Sequence, residues 1–385
     1  VLCGLAPSVE LLIIARVVQA VGSVMMMALG PAIMTEAFPP HERGKALGFG
    51  GLMVSLGGIS GPTIGGLILG GLSWQWIFFI NLPVGILGTW LALRYVPDLR
   101  PTGRQRFDFP GAATLFSGML SLLLALTLGQ DAGFASPPIL ALFGGAAFFL
   151  ITFVWIEAHV DAPMVDLYMF ANRLFSINLV TGLLTFVCTS GLFLLAPFYL
   201  QNVLLFGARD SGLLLAAIPL ALGIVAPFAG SLSDRFGSRR LTAIGLLVLL
   251  GAFLGIITLD ENTTTLGYVL RALPVGIGVG LFQSPNNSAI MGSVSRDRLG
   301  VASGFMALTR TTGQTVGVAL MGSLWASSAL ARAGGTASAA LETSPQIQVA
   351  AFHDMVGVIL VLILIAFLLS LVALAEERRI KNGSI

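Results

Sequence analysis

Eleven apolar runs divide the 385-residue chain, at 9–35, 43–70, 76–96, 109–129, 138–158, 174–200, 211–233, 241–259, 266–294, 301–329 and 352–375. Each approaches the roughly 20 residues that a helix needs to cross a hydrocarbon core. Backbone N–H and C=O groups find no water there, so a spanning chain must be a helix bundle or a closed barrel. The period-two alternation of a barrel strand is absent. The pattern therefore predicts an all-α integral membrane protein. Composition points the same way: 56% of the residues are hydrophobic and 10% charged, where a soluble domain has about 25% charged. That excludes a soluble enzyme, a nucleic-acid binder and a disordered chain. Cys3, Cys188, His41, His159 and His353 are scattered without ligand spacing, so no metal, cofactor or disulfide is expected.

Charge sets the orientation. With 36–45 on the cytoplasmic side and the spans alternating from there, fifteen of the 20 Lys and Arg residues fall on that side, including Arg43, Lys45, Arg173, Arg239 and Arg298. Arg209 and Arg332 fall outside, and Arg16, Arg271 and Arg310 lie within spans. This asymmetry predicts a cytoplasmic C-terminus. Trp74, Trp76 and Trp155 stand near span ends, where aromatic anchors sit.

One signature recurs. Gly48, Gly57 and Gly61 have the spacing G-x8-G-x3-G, and Gly304, Gly313 and Gly317 repeat it 256 residues on, with Phe49 matching Phe305 and Gly66 matching Gly322. The preceding arginines, Arg16 and Arg271, correspond loosely. Such duplication is common in transporter halves. The matching spans are eight apart, which two six-helix halves separated by two extra helices would give. The chain opens at Val1 within an apolar stretch and reads as the tail of a truncated helix. The repeat offset places the start of the first half roughly 80 residues upstream, in a parent of fourteen spans. The expected organisation is an N-terminal bundle at 1–97, a linker with two extra spans at 98–172, and a C-terminal bundle with a cytoplasmic tail at 173–385.

These residues resemble a known family. Gly48, Gly57, Gly61, Pro62, Gly65 and Gly66 are similar to the antiporter signature, motif C, of major facilitator superfamily exporters. Leu12 to Gln19 resembles motif B, with Ala20 where a glycine is usual. Trp74 to Gly85 is similar to a segment typical of the fourteen-span drug:proton antiporters, with Gln75 where an arginine is common. Gly230 to Arg240 resembles the second-half copy of motif A. The resemblance implies the major facilitator fold and the plasma (inner) membrane. Its implied partners are the lipid bilayer, a small-molecule substrate, protons and accessory efflux proteins, with no nucleic acid and no cofactor.

Several residues carry candidate roles. Arg16 is a charge at bilayer depth, where burial costs about 2.5–3.5 kcal/mol on insertion scales, and Gln19 shares its helix face. The pair is expected in proton coupling, or as a tether between helices. Asp234 precedes a helix start and gains from its dipole. With Arg235, Arg239 and Arg240 it is expected to lock the inner gate or to anchor topology. The glycine ladder with Pro62 is expected to pack closely at the seam between halves. Gln283, Asn286 and Asn287 surround a proline in one span, an unwound or polar midplane segment of the kind transporters use for substrate. Phe186, Phe193, Tyr199, Met26 and Arg310 complete the candidate cavity. No acidic residue stands mid-span: Glu10, Glu157, Asp260, Glu261 and Asp354 are all near span ends. The expected function is export of lipophilic or cationic small molecules in exchange for protons. The alternative is transport of a specific metabolite, amino acid or lipid. Neither is an enzyme, and no nucleotide-binding loop is present.

Overall fold

The computed structural model describes residues 1–96, 107–160, 163–334 and 340–381, and Arg100, Arg104 and Arg106 lie outside them. The described elements are α1 (Val9–Ala37), α2 (Arg43–Gly71), the turn α3 (Trp76–Phe79) running into α4 (Asn81–Tyr95), α5 (Phe109–Ala132), α6 (Pro137–His159) and the turn α7 (Tyr168–Ala171). They continue with α8 (Arg173–Phe198), α9 (Ala208–Leu215), α10 (Ala217–Phe236), α11 (Ser238–Ile256), α12 (Thr265–Gly292), α13 (Leu299–Ala333) and α14 (Pro345–Lys381). Among the described residues, ten helical stretches are long and apolar enough to cross a membrane. The glycine-rich α2 is a further helix of 29 residues.

Local chemistry starts and stops these helices. Ser8, Asp108, Asn172 and Thr264 each accept a hydrogen bond from a backbone N–H in the first turn of α1, α5, α8 and α12, the usual role of a short polar side chain at a helix start. Gly237, at φ +91°, makes the abrupt turn from α10 to α11, a conformation a side chain resists.

The densest core lies among α8, α10, α11, α12, α13 and α14, where Leu246, Leu249, Phe253, Phe282, Met321, Met355 and Ile359 are fully enclosed. Small residues let these backbones approach. A Cβ on Gly245 of α11 would lie 2.6 Å from the Phe282 amide nitrogen of α12. Gly245→Val is therefore expected to destabilise the bundle by about 1–3 kcal/mol, read as a lowered unfolding midpoint in detergent. Gly251→Val, on a glycine with open space beside it, is the matched control. Helices α5 and α6 form an antiparallel pair whose α5 member also touches α13. Helices α1 and α4 present long exposed apolar surfaces, with Ile14, Val17, Ile86 and Trp90 among them, as lipid-facing or cavity-facing helices do.

Candidate functional site

The second half of α1 and the first half of α2, from Gly44 to Gly58, pack on the α8–α14 group, and the basic Arg43, Lys45, Arg235, Arg239 and Arg240 gather at the start of that crossing. The crossing of α2 with α10 is built from small residues one or two turns apart. A Cβ on Gly48 would fall 2.5 Å from Ala226 O and 2.9 Å from Pro227 Cα, and one on Gly44 2.5 Å from Gly230 O. Gly51 and Ser55 continue the same face, against Ala226 and Gly223. Only backbones without side chains can come this close.

The N-terminus of α2 has no cap of its own: Glu42 at that position makes no side-chain hydrogen bond. Asp234 of α10 supplies one. Its Oδ1 accepts from the Gly44 amide at 2.8 Å and its Oδ2 from the Lys45 amide at 2.9 Å. The carboxylate thus satisfies two orphan donors and faces the positive end of the α2 dipole. Ser284 of α12 donates to Gly44 O at 3.1 Å, so three helices converge on one peptide. Alongside, Ser303 of α13 donates to Ala28 O of α1, and Ala32 packs with Leu299, Ala302 and Met306. Arg43 closes the end of α1 by donating to Thr35 O at 3.0 Å.

At the opposite end the helices part. Gly58 still reaches Pro219 at 3.9 Å, but nothing lies within 4 Å of a Cβ on Gly57, Gly61 or Gly65. The motif C glycines are expected to pack closely at the seam; among the described ones only Gly48 does so here. The surroundings of Pro62 and Gly66 lie outside the described residues. In the second copy of the signature, Gly313 and Gly317 pack against Leu183, Phe186 and Val187 of α8, whereas Gly304 has open space.

Other candidates fall differently from expectation. Asp234 caps α2 rather than α11. Arg239 pairs with Glu377 of α14 at 3.2 Å, inside the α8–α14 group rather than across the seam. Arg235 and Arg240 border a cavity of about 400 Å³ with Asp234, Phe236 and Glu377. Arg16 donates to Gln19 Oε1 at 3.1 Å and lies 4.8 Å from the Phe78 ring centroid, a cation–π contact. Gln19 also borders an apolar cavity of about 700 Å³ between α1 and α4, with Cys3, Val18, Phe78, Asn81 and Trp90.

The segment around Pro285 is not unwound. Helix α12 runs through Pro274 and Pro285 without a break, as membrane helices tolerate when neighbours bind the freed groups. Asn286 is buried and donates to Asn178 O at 3.1 Å, leaving its Oδ1 without a partner. Gln283 and Asn287 are half-buried. Tyr199 belongs to the core: it is 4% exposed, stacks on Phe352 and Tyr268, and donates to Asp260 O at 2.6 Å. Phe186 and Arg310 are half-buried, and Phe193 and Met26 are exposed. The α2–α10 crossing itself was legible as Gly44-x3-Gly48 facing Gly223-x6-Gly230, a small-residue spacing that the longer motif C signature overshadows.

Known proteins resemble this chain in sequence and in fold. The chain is 32% identical over 324 residues to the multidrug transporter protein MdtP of Bacillus subtilis, covering 84% of this chain and 60% of that one. It is 30% identical over 329 residues to the riboflavin transporter RibZ of Clostridioides difficile, covering 85% and 71%. The chain thus spans less than two thirds of MdtP's length. Its fold superposes on the crystal structure of the human organic anion transporter MFSD10 with a TM-score of 0.65 at 18% identity, covering 96% of this chain and 73% of that one. The sequence profile of the Major Facilitator Superfamily matches residues 1–318, and the chain belongs to that family of membrane transporters.

Proposed function

We propose that the chain forms most of a secondary exporter that moves lipophilic or cationic small molecules across the plasma membrane by alternating access, in exchange for protons. The observation that carries this is the one-ended seam. Helices α1 and α2 are bonded to α10, α12 and α13 around Asp234 and Ser303, while the motif C glycines toward the other end of α2 stand free. With the basic loops and the C-terminus on the cytoplasmic side, the end tied by Asp234 would be the cytoplasmic one, and it is closed here. Two bundles, 1–97 and 173–385, would rock about that seam, with the α5–α6 pair between them in sequence. Asp234 on the α2 dipole would hold the closed inner end, with Arg235, Arg239 and Arg240 shaping the mouth beside it. Arg16 and Gln19 would serve proton coupling at the edge of the α1–α4 cavity. Gln283, Asn287, Phe186 and Arg310 would supply substrate contacts. Similarity to a multidrug transporter supports the drug class.

The test is reconstitution of the full-length protein in vesicles with an imposed pH gradient and a panel of lipophilic cationic dyes. Gradient-driven dye movement is expected, and Arg16→Lys, which keeps charge but loses the guanidinium fork, should retain part of it. Dye movement indifferent to the gradient would remove proton exchange. The similarity to a riboflavin transporter favours a second reading, a carrier for one metabolite. Movement of riboflavin with no dye movement would select it.

A further inference from the structure

The α5–α6 pair carries two buried acids, the α5 cap Asp108 and Glu157 of α6. Asp108 and Glu157 are 7% and 4% exposed. Each has one oxygen occupied: Asp108 Oδ1 accepts from the Gly111 amide at 2.9 Å, and Glu157 Oε2 from the Val165 amide at 3.1 Å. Each has one oxygen, Asp108 Oδ2 and Glu157 Oε1, enclosed and without a partner. The two free oxygens border the same space. A Cβ on Gly111 would overlap Asp108 Oδ2, lie 2.8 Å from the Asp108 carboxyl carbon and lie 2.9 Å from Glu157 Oε1.

We propose that Asp108 and Glu157 form a proton-binding site in which one proton is held between Asp108 Oδ2 and Glu157 Oε1. Two carboxylates facing each other in a buried site, with no cation bonded to either among the described residues, resist being charged together. One proton turns one carboxyl into a donor and the other into its acceptor, a short charge-assisted bond that satisfies both orphan oxygens at once. A hard cation is a poorer fit. Calcium takes six to eight oxygen ligands, and among the described residues no group of three His, Cys, Asp or Glu side chains is poised to hold a metal.

The site is placed to act as a clasp. Glu157 holds the Val165 amide, and the next residue, Asp166, pairs with Arg298 at the start of α13. The Tyr168 amide and then the Arg298 guanidinium hold the Asp166 carboxyl below the usual carboxylate range. Helix α13 in turn touches α5 and carries Ser303 onto α1. Release of the proton to water leaves like charges facing each other across Gly111 and pushes the carboxyls apart, straining the Val165 segment and the Asp166–Arg298 pair that Glu157 helps to place. The other charged groups nearby are already engaged or exposed. Asp297 sits 3.7 Å from Arg298, His159 places its ring nitrogen 2.7 Å from Trp155 O, and Arg173 faces Glu376 at 3.7 Å. Arg296 precedes α13, and Arg310 lies several turns farther along it. Arg106 and Asp161 lie outside the described residues.

Infrared difference spectroscopy on the full chain in lipid nanodiscs tests this without reference to transport. Near neutral pH the wild type is expected to show the carbonyl band of a buried protonated carboxyl, lost on moving to alkaline buffer. Glu157→Gln should lose the band, because the amide supplies the donor hydrogen permanently. The folded protein binds a proton here that the unfolded chain releases, so wild-type stability falls as pH rises. Its unfolding midpoint should drop by roughly 3 °C between neutral and alkaline buffer, and that of Glu157→Gln should not. Gly111→Ala, which keeps both acids but fills the shared space, should weaken or shift the band. Absence of the band in the wild type, its persistence in Glu157→Gln, or its displacement by added calcium would each overturn the proposal.

Discussion

Replacing Asp234 with alanine in the proposed exporter is expected to open the α2–α10 seam and reduce export by at least tenfold while the protein still reaches the membrane. The carboxylate makes two hydrogen bonds to the otherwise uncapped start of α2. Hydrogen bonds to a charged group contribute about 1.5–3 kcal/mol each, and the α2 dipole adds up to about 2 kcal/mol in a partly enclosed setting. Loss of even about 3 kcal/mol from one of two alternating states shifts their ratio by more than 100-fold. Among the described residues the other polar ties across the seam are Ser284 to Gly44 O and Ser303 to Ala28 O. Asp234→Asn keeps one acceptor and loses the charge, so it should fall between alanine and wild type. The measurement pairs dye efflux with labelling of a cysteine placed at Gly61. Outward labelling should decline in Asp234→Ala if the inner-open state gains population. Undiminished labelling together with undiminished efflux would mean that the cap is ornamental.

The position of Asp234 shows where sequence reasoning reaches and where it stops. That an acid at this place would meet a helix dipole is visible from Asp234, Gly237 and the helix that follows. Which helix it meets is not, because α2 lies 190 residues away along the chain. The one local hint is negative: the segment entering α2, His41–Glu42–Arg43, offers no Ser, Thr, Asp or Asn to cap it. Hydropathy alone marks the helices, since each must bury its backbone polar groups internally and each is apolar along its length. The same uniformity hides which face points inward. Tyr199 reads as a cavity aromatic, yet it lies in the core with Phe352 and Tyr268, because a span that is apolar all round carries no stripe to orient it. Pro285 reads as a break, yet α12 continues through it with Ser284, Pro285 and Asn286 buried. The Asp108–Glu157 pair escaped because its members, brought together at the open end of the α5–α6 hairpin, stand at its two extremes in sequence, and each alone resembles a span-end acid.

Gly48 and Gly61 lie on one helix, and bulky side chains at the two positions are expected to stop transport by opposite routes. At Gly48 a Cβ would already collide with Ala226 O and Pro227 Cα, both backbone atoms that cannot move aside as a side chain could. Gly48→Leu should force α2 off α10, destabilising the inward-closed state by more than the about 1–3 kcal/mol typical of overpacking. At Gly61 the space is open in this state, so Gly61→Leu should leave the observed arrangement intact. In the proposed rocking scheme that end must close in turn, and a leucine there would meet the approaching helix and hold the protein in the arrangement seen here. Both variants should lose export. They should separate in cysteine labelling: a probe near the outer end of α2 should stay reactive in Gly61→Leu and become protected in Gly48→Leu. Normal export by Gly61→Leu would show that the outer half of α2 never closes against a partner, and the rocking scheme would then have no second half.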